Sequence, residues 1–208
     1  DAGKNGMVSN SGSIDVSSKN SNGGNIEVTG KEISIKSGSK LLASGKTDGG
    51  DVLIGGDWKG SGDLLQSTYT TVEKNTLIDA SSTKSGDGGK IVVWSDIKNS
   101  KSKTSVNGTL LAYAVDGDGG KIETSGATLE HKNIKINASS KNGKSGLWLI
   151  DPYTYTIGGL SAGTIELTLA MGTSVSVLTS ANSTGYGSGG DSNTCLLYTS
   201  PSPRDGLL

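Results

Sequence analysis

"GDGGKIVVWSD" (Gly86–Asp96) decides the reading of this chain, because its opening returns thirty-one residues later in "GDGGKIETSG" (Gly117–Gly126). Each copy sets a glycine pair before a short run of β-branched residues, which is the grammar of a turn followed by a strand. The same unit occurs in "GGNIEV" (Gly23–Val28), "GGDVLI" (Gly49–Ile54) and, with Ser for the first Gly, "SGLWLI" (Ser145–Ile150). The second glycines fall at 24, 50, 89, 120 and 146, so the steps are 26, 39, 31 and 26 residues. A stack of like units tolerates such uneven steps, since extra residues leave the stack as loops.

Composition selects the kind of stack. The 208 residues include 33 Gly and no Phe, with 4% aromatic and 32% hydrophobic residues. A β-sandwich fills a core about 10 Å thick with large side chains from two sheets. This chain lacks the bulk for that, whereas a narrow coil of stacked rungs accepts Val, Ile, Leu, Ala and Ser. The expected class is therefore all-β, a parallel β-helix (solenoid). A net charge of −1 with recurring Val, Ile and Leu argues against intrinsic disorder, and the lack of a basic face argues against nucleic acid. No run approaches the roughly 20 apolar residues that span a bilayer.

Between the glycine units lie further period-two pieces, "SIDVSS" from Ser13, "EISIKSG" from Glu32, "TLIDASS" from Thr76 and "NIKINASS" from Asn133. Helix propensity is poor throughout; Leu160–Met171 reads as either a strand or a brief helical insert. The glycine pairs are expected at corners, supplying positive φ or room for close backbone approach. Asp87 and Asp118 are expected to bond their own turns, with Lys90 and Lys121 outward and Ile91, Val93, Ile122 and Thr124 inward. The stretches Asp57–Lys74 and Ile97–Thr109 are expected as external loops. Pro152, directly after "LWLI", ends strand pairing, giving three regions: rungs over 1–151, a continuation of the solenoid with a possible short helix over 152–194, and a tail over 195–208.

The tail differs in kind. "CLLYTSPSPRD" (Cys195–Asp205) reads as one frame of a transposase-type sequencing adapter, and it holds the chain's only Cys, its only Arg (Arg204) and two of its three Pro (Pro201, Pro203). It is expected to be foreign and unstructured. Without it the chain has no disulfide, thiolate or cysteine metal site. The opening "DAGKNGMVSN" has neither an initiator Met nor a signal-peptide pattern, so the chain is expected to be a fragment.

Four blocks carry a family resemblance: "GGDVLIGGDWKG" (Gly49–Gly60), "LIDASSTKSGDGGKIVVWSD" (Leu77–Asp96), "GDGGKIETSG" (Gly117–Gly126) and "NGKSGLWLIDPYTYTI" (Asn142–Ile157). In this order they resemble the shaft of filamentous-haemagglutinin-type exoproteins of two-partner secretion, especially the high-molecular-weight adhesins. The resemblance implies a right-handed β-helix, export through an outer-membrane barrel transporter, a secreted or cell-surface location outside a Gram-negative cell, and attachment to a host receptor or glycan. It also implies that the family's amino-terminal secretion domain is missing. A growth-inhibition exoprotein stalk is the alternative within the same resemblance.

Candidate sites are few. His131, alone of its kind, is expected to be a solvated surface residue. The acidic clusters Thr47–Asp51 and Asp116–Gly120 are expected to cap turns rather than bind calcium. A polysaccharide-cleaving β-helix would need paired carboxylates; Asp57, Asp96, Asp116 and Asp118 all sit in turn-like sequence, so no enzyme, cofactor or metal site is expected. Trp94 and Trp148 lie within apolar runs, so at least one is expected to pack inside or under a loop. Trp58 in "GGDWKG" is expected to be exposed and, with Tyr69, to form a ligand-contacting patch.

Overall fold

The structure, a computed structural model, describes residues 1–179 and the backbone of 194–197. Five rungs of three strands each climb the molecule. The first rung is β1 (Met7–Asn10), β2 (Ser13–Asp15) and β3 (Asn25–Val28); the second is β4 (Glu32–Ile35), β5 (Lys40–Leu42) and β6 (Asp51–Ile54). The third is β7 (Tyr69–Val72), β8 (Leu77–Asp79) and β9 (Lys90–Trp94); the fourth is β10 (Lys103–Val106), β11 (Thr109–Leu111) and β12 (Lys121–Ser125). The fifth is β13 (Thr128–His131), β14 (Lys135–Asn137) and β15 (Leu147–Ile150), after which come α1 (Leu160–Ala170), β16 (Ser174–Leu178) and β17 (Thr194–Leu197).

Equivalent strands stack in parallel into three sheets, ordered β1-β4-β7-β10-β13, β2-β5-β8-β11-β14 and β3-β6-β9-β12-β15-β16-β17. The fold is a parallel β-helix. In the third sheet Asn25 pairs with Asp51, Asp51 with Lys90, Lys90 with Lys121 and Lys121 with Leu147, which reproduces the uneven glycine steps residue for residue. Register is held by columns of like residues, because a one-residue slip would turn every inward side chain outward. Inside run Ile26, Val52, Ile91, Ile122, Trp148 and Val175 of the third sheet, all buried. Facing them run Leu41, Ile78, Leu110 and Ile136 of the second sheet and Ile35, Val72 and Val106 of the first. Each fully buried aliphatic residue contributes roughly 1.5–3 kcal/mol.

The glycine pairs stand at the corner between the second and third sheets, and the reason is proximity rather than φ. None of them has positive φ. A Cβ on Gly50 would lie 1.9 Å from the Gly24 carbonyl oxygen, one on Gly89 1.9 Å from that of Gly50, and one on Gly120 2.2 Å from that of Gly89. Their partners Gly49 and Gly88 ride on the carbonyls of Ala80 and Ala112 in the same way, at 1.9 and 2.0 Å. The corner is a column of bare backbone.

Several expectations are corrected. Asp87 and Asp118 do not bond their own turns: the Asp118 N–H donates to Asp87 Oδ1 (2.8 Å), the Lys144 N–H to Asp118 Oδ1 (2.8 Å) and the Asp87 N–H to Asp48 Oδ1 (2.9 Å). Stacked corners place the next rung's amide nearer than the residue's own. The expected loop Asp57–Lys74 contains β7, and Ile97–Thr109 contains β10. These strands turn Thr70 and Thr104 inward, where the Trp94 and Ser125 carbonyls accept from their hydroxyls at 2.7 Å each, so polar residues occupy core positions.

After the fifth rung α1 takes the place of first- and second-sheet strands, and β16 extends the third sheet. Ile165 and Thr168 of α1 are buried while Leu160 and Leu167 are exposed. Backbone at 194–197 runs antiparallel to β16, so Cys195–Leu197, expected to lack structure, pair with the open edge that β16 offers. The remainder of the expected foreign tail, 198–208, lies outside the described residues, as do 180–193 of the middle region.

Candidate functional site: the covered face of the third sheet

The outward column of the third sheet reads Glu27, Leu53, Val92, Glu123, Leu149 and Ser176. Leu53, Val92 and Leu149 are apolar and buried, so this face is not a solvent face. A strand apolar on both sides signals a cover. The cover is the segment between β6 and β7, closed by a single 3₁₀ turn at Trp58–Gly60. Leu53, Val92, Trp94 and Ile97 form a second apolar cluster beneath it, with Trp58, Leu64 and Tyr153 packed against them.

The local sequence explains the cover's shape. Gly56 (φ 155°) and Gly60 (φ 63°) lie flat on the Trp94 ring, where a Cβ on either would come within 2.5 Å of a ring carbon. Asp57 accepts from the Trp58 N–H at 2.6 Å and starts the turn. Gln66 spans the two sides, donating to the Gly60 carbonyl (3.1 Å) and accepting from the Trp94 indole N–H (3.2 Å). Lys90 ties the edge to Asp51 (3.1 Å) and Asp57 (3.4 Å). Burial opposes the Lys90 charge, yet the hydrogen bond and charge of Asp51, joined by Asp57, raise its pKa.

At the centre lies Glu123, with no exposed surface. One carboxylate oxygen accepts from the Lys59 N–H (2.7 Å), which a left-handed φ of 56° aims inward; the other accepts from the Ser125 hydroxyl (2.9 Å). Burial pushes its pKa up to about 7; the Lys59 N–H and Ser125 hydroxyl oppose this, and the Asp151 charge adds to it. Sequence reasoning passed over Glu123 because "KIET" alternates like a simple half-exposed strand. The signal was present in the column: of the other four residues three after the second glycine, Leu53, Val92 and Leu149 are apolar and Glu27 of the first rung is not.

The two predicted contact residues separate. Trp58 is half-buried in the cover with Lys121 Nζ 6.0 Å from its ring centroid, a cation–π distance, and Tyr69 is exposed on the outer face of the first sheet. Trp94 lies under the cover and Trp148 in the interior column, as their apolar runs imply. The four acidic candidates all serve local structure. Asp57 caps the 3₁₀ turn, Asp96 accepts from the Lys98 N–H, Asp116 from the Asn142 amide and Asp118 from the Lys144 N–H.

His131 is a correction. It occupies the inward column of Asn10, Ile35, Val72 and Val106 and is half-buried there rather than fully solvated. Its ring nitrogens lie 3.1 Å from the Tyr155 hydroxyl and 2.9 Å from Thr124 Oγ1, and Trp148 Nε1 donates to that same Oγ1 at 3.1 Å. Burial lowers its pKa to about 4, so the imidazole is neutral near pH 7.

No family model and no curated protein matches the chain. Among solved structures it is similar to the crystal structure of the HMW1 secretion domain from Haemophilus influenzae, at 30% identity and a TM-score of 0.59, over 71% of this chain. The likeness is to a secretion domain. The match spans 37% of that chain's length. The likeness supports the two-partner-secretion resemblance loosely; being to a secretion domain, it does not single out a filamentous-haemagglutinin-type shaft, nor bear out the expectation that the secretion domain is missing. Among the described residues, no helix is long and apolar enough to cross a membrane.

Proposed function

We propose that this chain is a β-helical segment of an exported two-partner-secretion adhesin. In this reading it does no catalysis: the rungs form a stiff stem, and the decorations on its outer faces make contact with a host surface. The observation that carries the reading is the 30% identity to the HMW1 secretion domain over 71% of the chain. The ladder supports it physically, because each added rung satisfies the previous edge. A finer assignment, shaft rather than secretion domain, rests on the order of the four sequence blocks.

The test is export. Full-length protein made in a Gram-negative host with an outer-membrane barrel transporter of this class is expected at the cell surface or in the medium, and to confer attachment to epithelial cells. Retention inside the cell with and without the transporter overturns the reading. Trp58 and Tyr69 remain the proposed contacts, acting as separate points on two faces. Exported protein with both changed to Ala is expected to reach the surface normally and bind less; unchanged attachment removes their role.

A further inference from the structure

The cover from Gly55 to Ser67 meets the third sheet through apolar packing on Trp94, through the bonds of Gln66 and Ser67 to Trp94 and of Asp57 to Lys90 at its edges, and at its centre through one buried acid. Its central polar contact is the Lys59 N–H, held at φ 56° and donating to Glu123 at 2.7 Å. Glu123 can be exposed only if the cover lifts, because it has no accessible surface while the cover is down. We propose that Glu123 is a proton-operated latch: protonation fastens the Gly55–Ser67 cover over the third sheet, and loss of the proton loosens it and uncovers the apolar strip of Leu53, Val92 and Trp94.

Geometry sets the direction. A carboxylate sealed under the cover has exchanged water for one amide and one hydroxyl, too little to solvate a full charge. The charged groups around it divide in sign. From the cover come Lys59 and Asp57, from β12 itself Lys121, from β9 Lys90 with its partner Asp51 of β6, and from the segment after β15 comes Asp151. Lys90 is committed to Asp51 and Asp57, and Lys121 stands over the Trp58 ring. Asp151, itself buried, adds negative charge beside Glu123. Closed, the acid titrates at about 7; open to water it returns to its ordinary 4.5. Closure therefore takes up a proton. It is strongest below 4.5 and weakens as pH rises through 7. The latch follows from the cover's own contacts and stands whether or not the protein is an adhesin.

Hydrogen exchange of the 208-residue chain tests it. After correction for the intrinsic pH dependence of exchange, protection of the amides from Asp57 to Gln66 is expected to fall tenfold or more between pH 5.5 and pH 8. Ile91 and Ile122, in the ladder beneath, are expected to hold their protection over the same range. Glu123→Gln keeps an acceptor for the Lys59 N–H without a charge, so its cover is expected to stay protected at both pH values. Flat protection of the cover in the unaltered protein overturns the proposal, as does a fall shared equally by Ile91 and Ile122. A Glu123→Gln profile with the original pH response also overturns it, since another group would then be titrating. The unaltered profile alone is decisive if the variant fails to fold.

Discussion

At the scale of single residues the molecule is governed by what cannot be accommodated. The glycine column admits no Cβ, since one added at Gly89 or Gly120 would lie 1.9 or 2.2 Å from the carbonyl oxygen of Gly50 or Gly89. Gly89→Ala must push two rungs apart, and a loss of about 3 kcal/mol is expected in chemical denaturation. Gly12, with nothing within 4 Å, is expected to accept Ala within about 0.5 kcal/mol. Buried Glu123 and half-buried His131 pull stability in opposite directions. His131, lowered from 6.5 to about 4, contributes stability above pH 6.5 that is lost as pH falls toward 4. Glu123, raised from 4.5 to about 7, contributes stability below 4.5 that is lost as pH rises through 7. Between pH 8 and pH 5 the two offset one another, so the denaturation midpoint of the unaltered protein is expected to move little. Glu123→Gln is expected to lose about 2 kcal/mol across that fall in pH, and His131→Gln to gain about 2. Parallel curves for all three proteins would show that neither group titrates as described.

At the scale of elements, α1 is the break in the pattern. It takes the place of first- and second-sheet strands at the end of the stack and turns Ile165 into the core, while Leu160 is 78% exposed. Ile165→Ala is expected to cost roughly 2–4 kcal/mol and Leu160→Gln less than about 0.5, read as shifts in denaturation midpoint. Equal effects would mean that α1 does not close the core. Legibility in the sequence followed the same division. All five glycine-led runs are strands of the third sheet, because that sheet's strands begin at the crowded corner and carry Val and Ile inward. The sequence of β7 and β10 resembles loop because their inward positions include Thr70 and Thr104, whose polarity is satisfied by carbonyls of strands distant in sequence. Glu123 escaped notice for a related reason: it sits on an outward position, and only the cover from another rung buries it. His131 did so because a column is visible only once its register is known. Local pattern reveals elements; what covers them is written elsewhere in the chain.

At the scale of the whole molecule the two ends are unlike. Toward the carboxy end the third sheet finishes in the antiparallel pair of β16 and β17, a direction of pairing that stops parallel stacking. At the amino end β1, β2 and β3 each pair, among the described residues, on one side only, with β4, β5 and β6. A parallel edge is a template for another strand, and Met7 on it is 66% exposed. The chain is therefore expected to associate as concentration rises, through this edge. Sedimentation velocity over a hundredfold range of concentration should show it as a rising weight-average mass. Met7→Lys with Ser9→Lys places charge at outward positions of β1, so like charges oppose one another wherever two edges meet. That double variant is expected to remain monomeric with its denaturation midpoint unchanged, because neither side chain faces the core. Association that persists in the variant would move the contact to another surface, and a monomer in the unaltered chain would mean that residues 1–6 already shield the edge, as the bond from the Ala2 N–H to the Thr29 carbonyl at 2.9 Å begins to do.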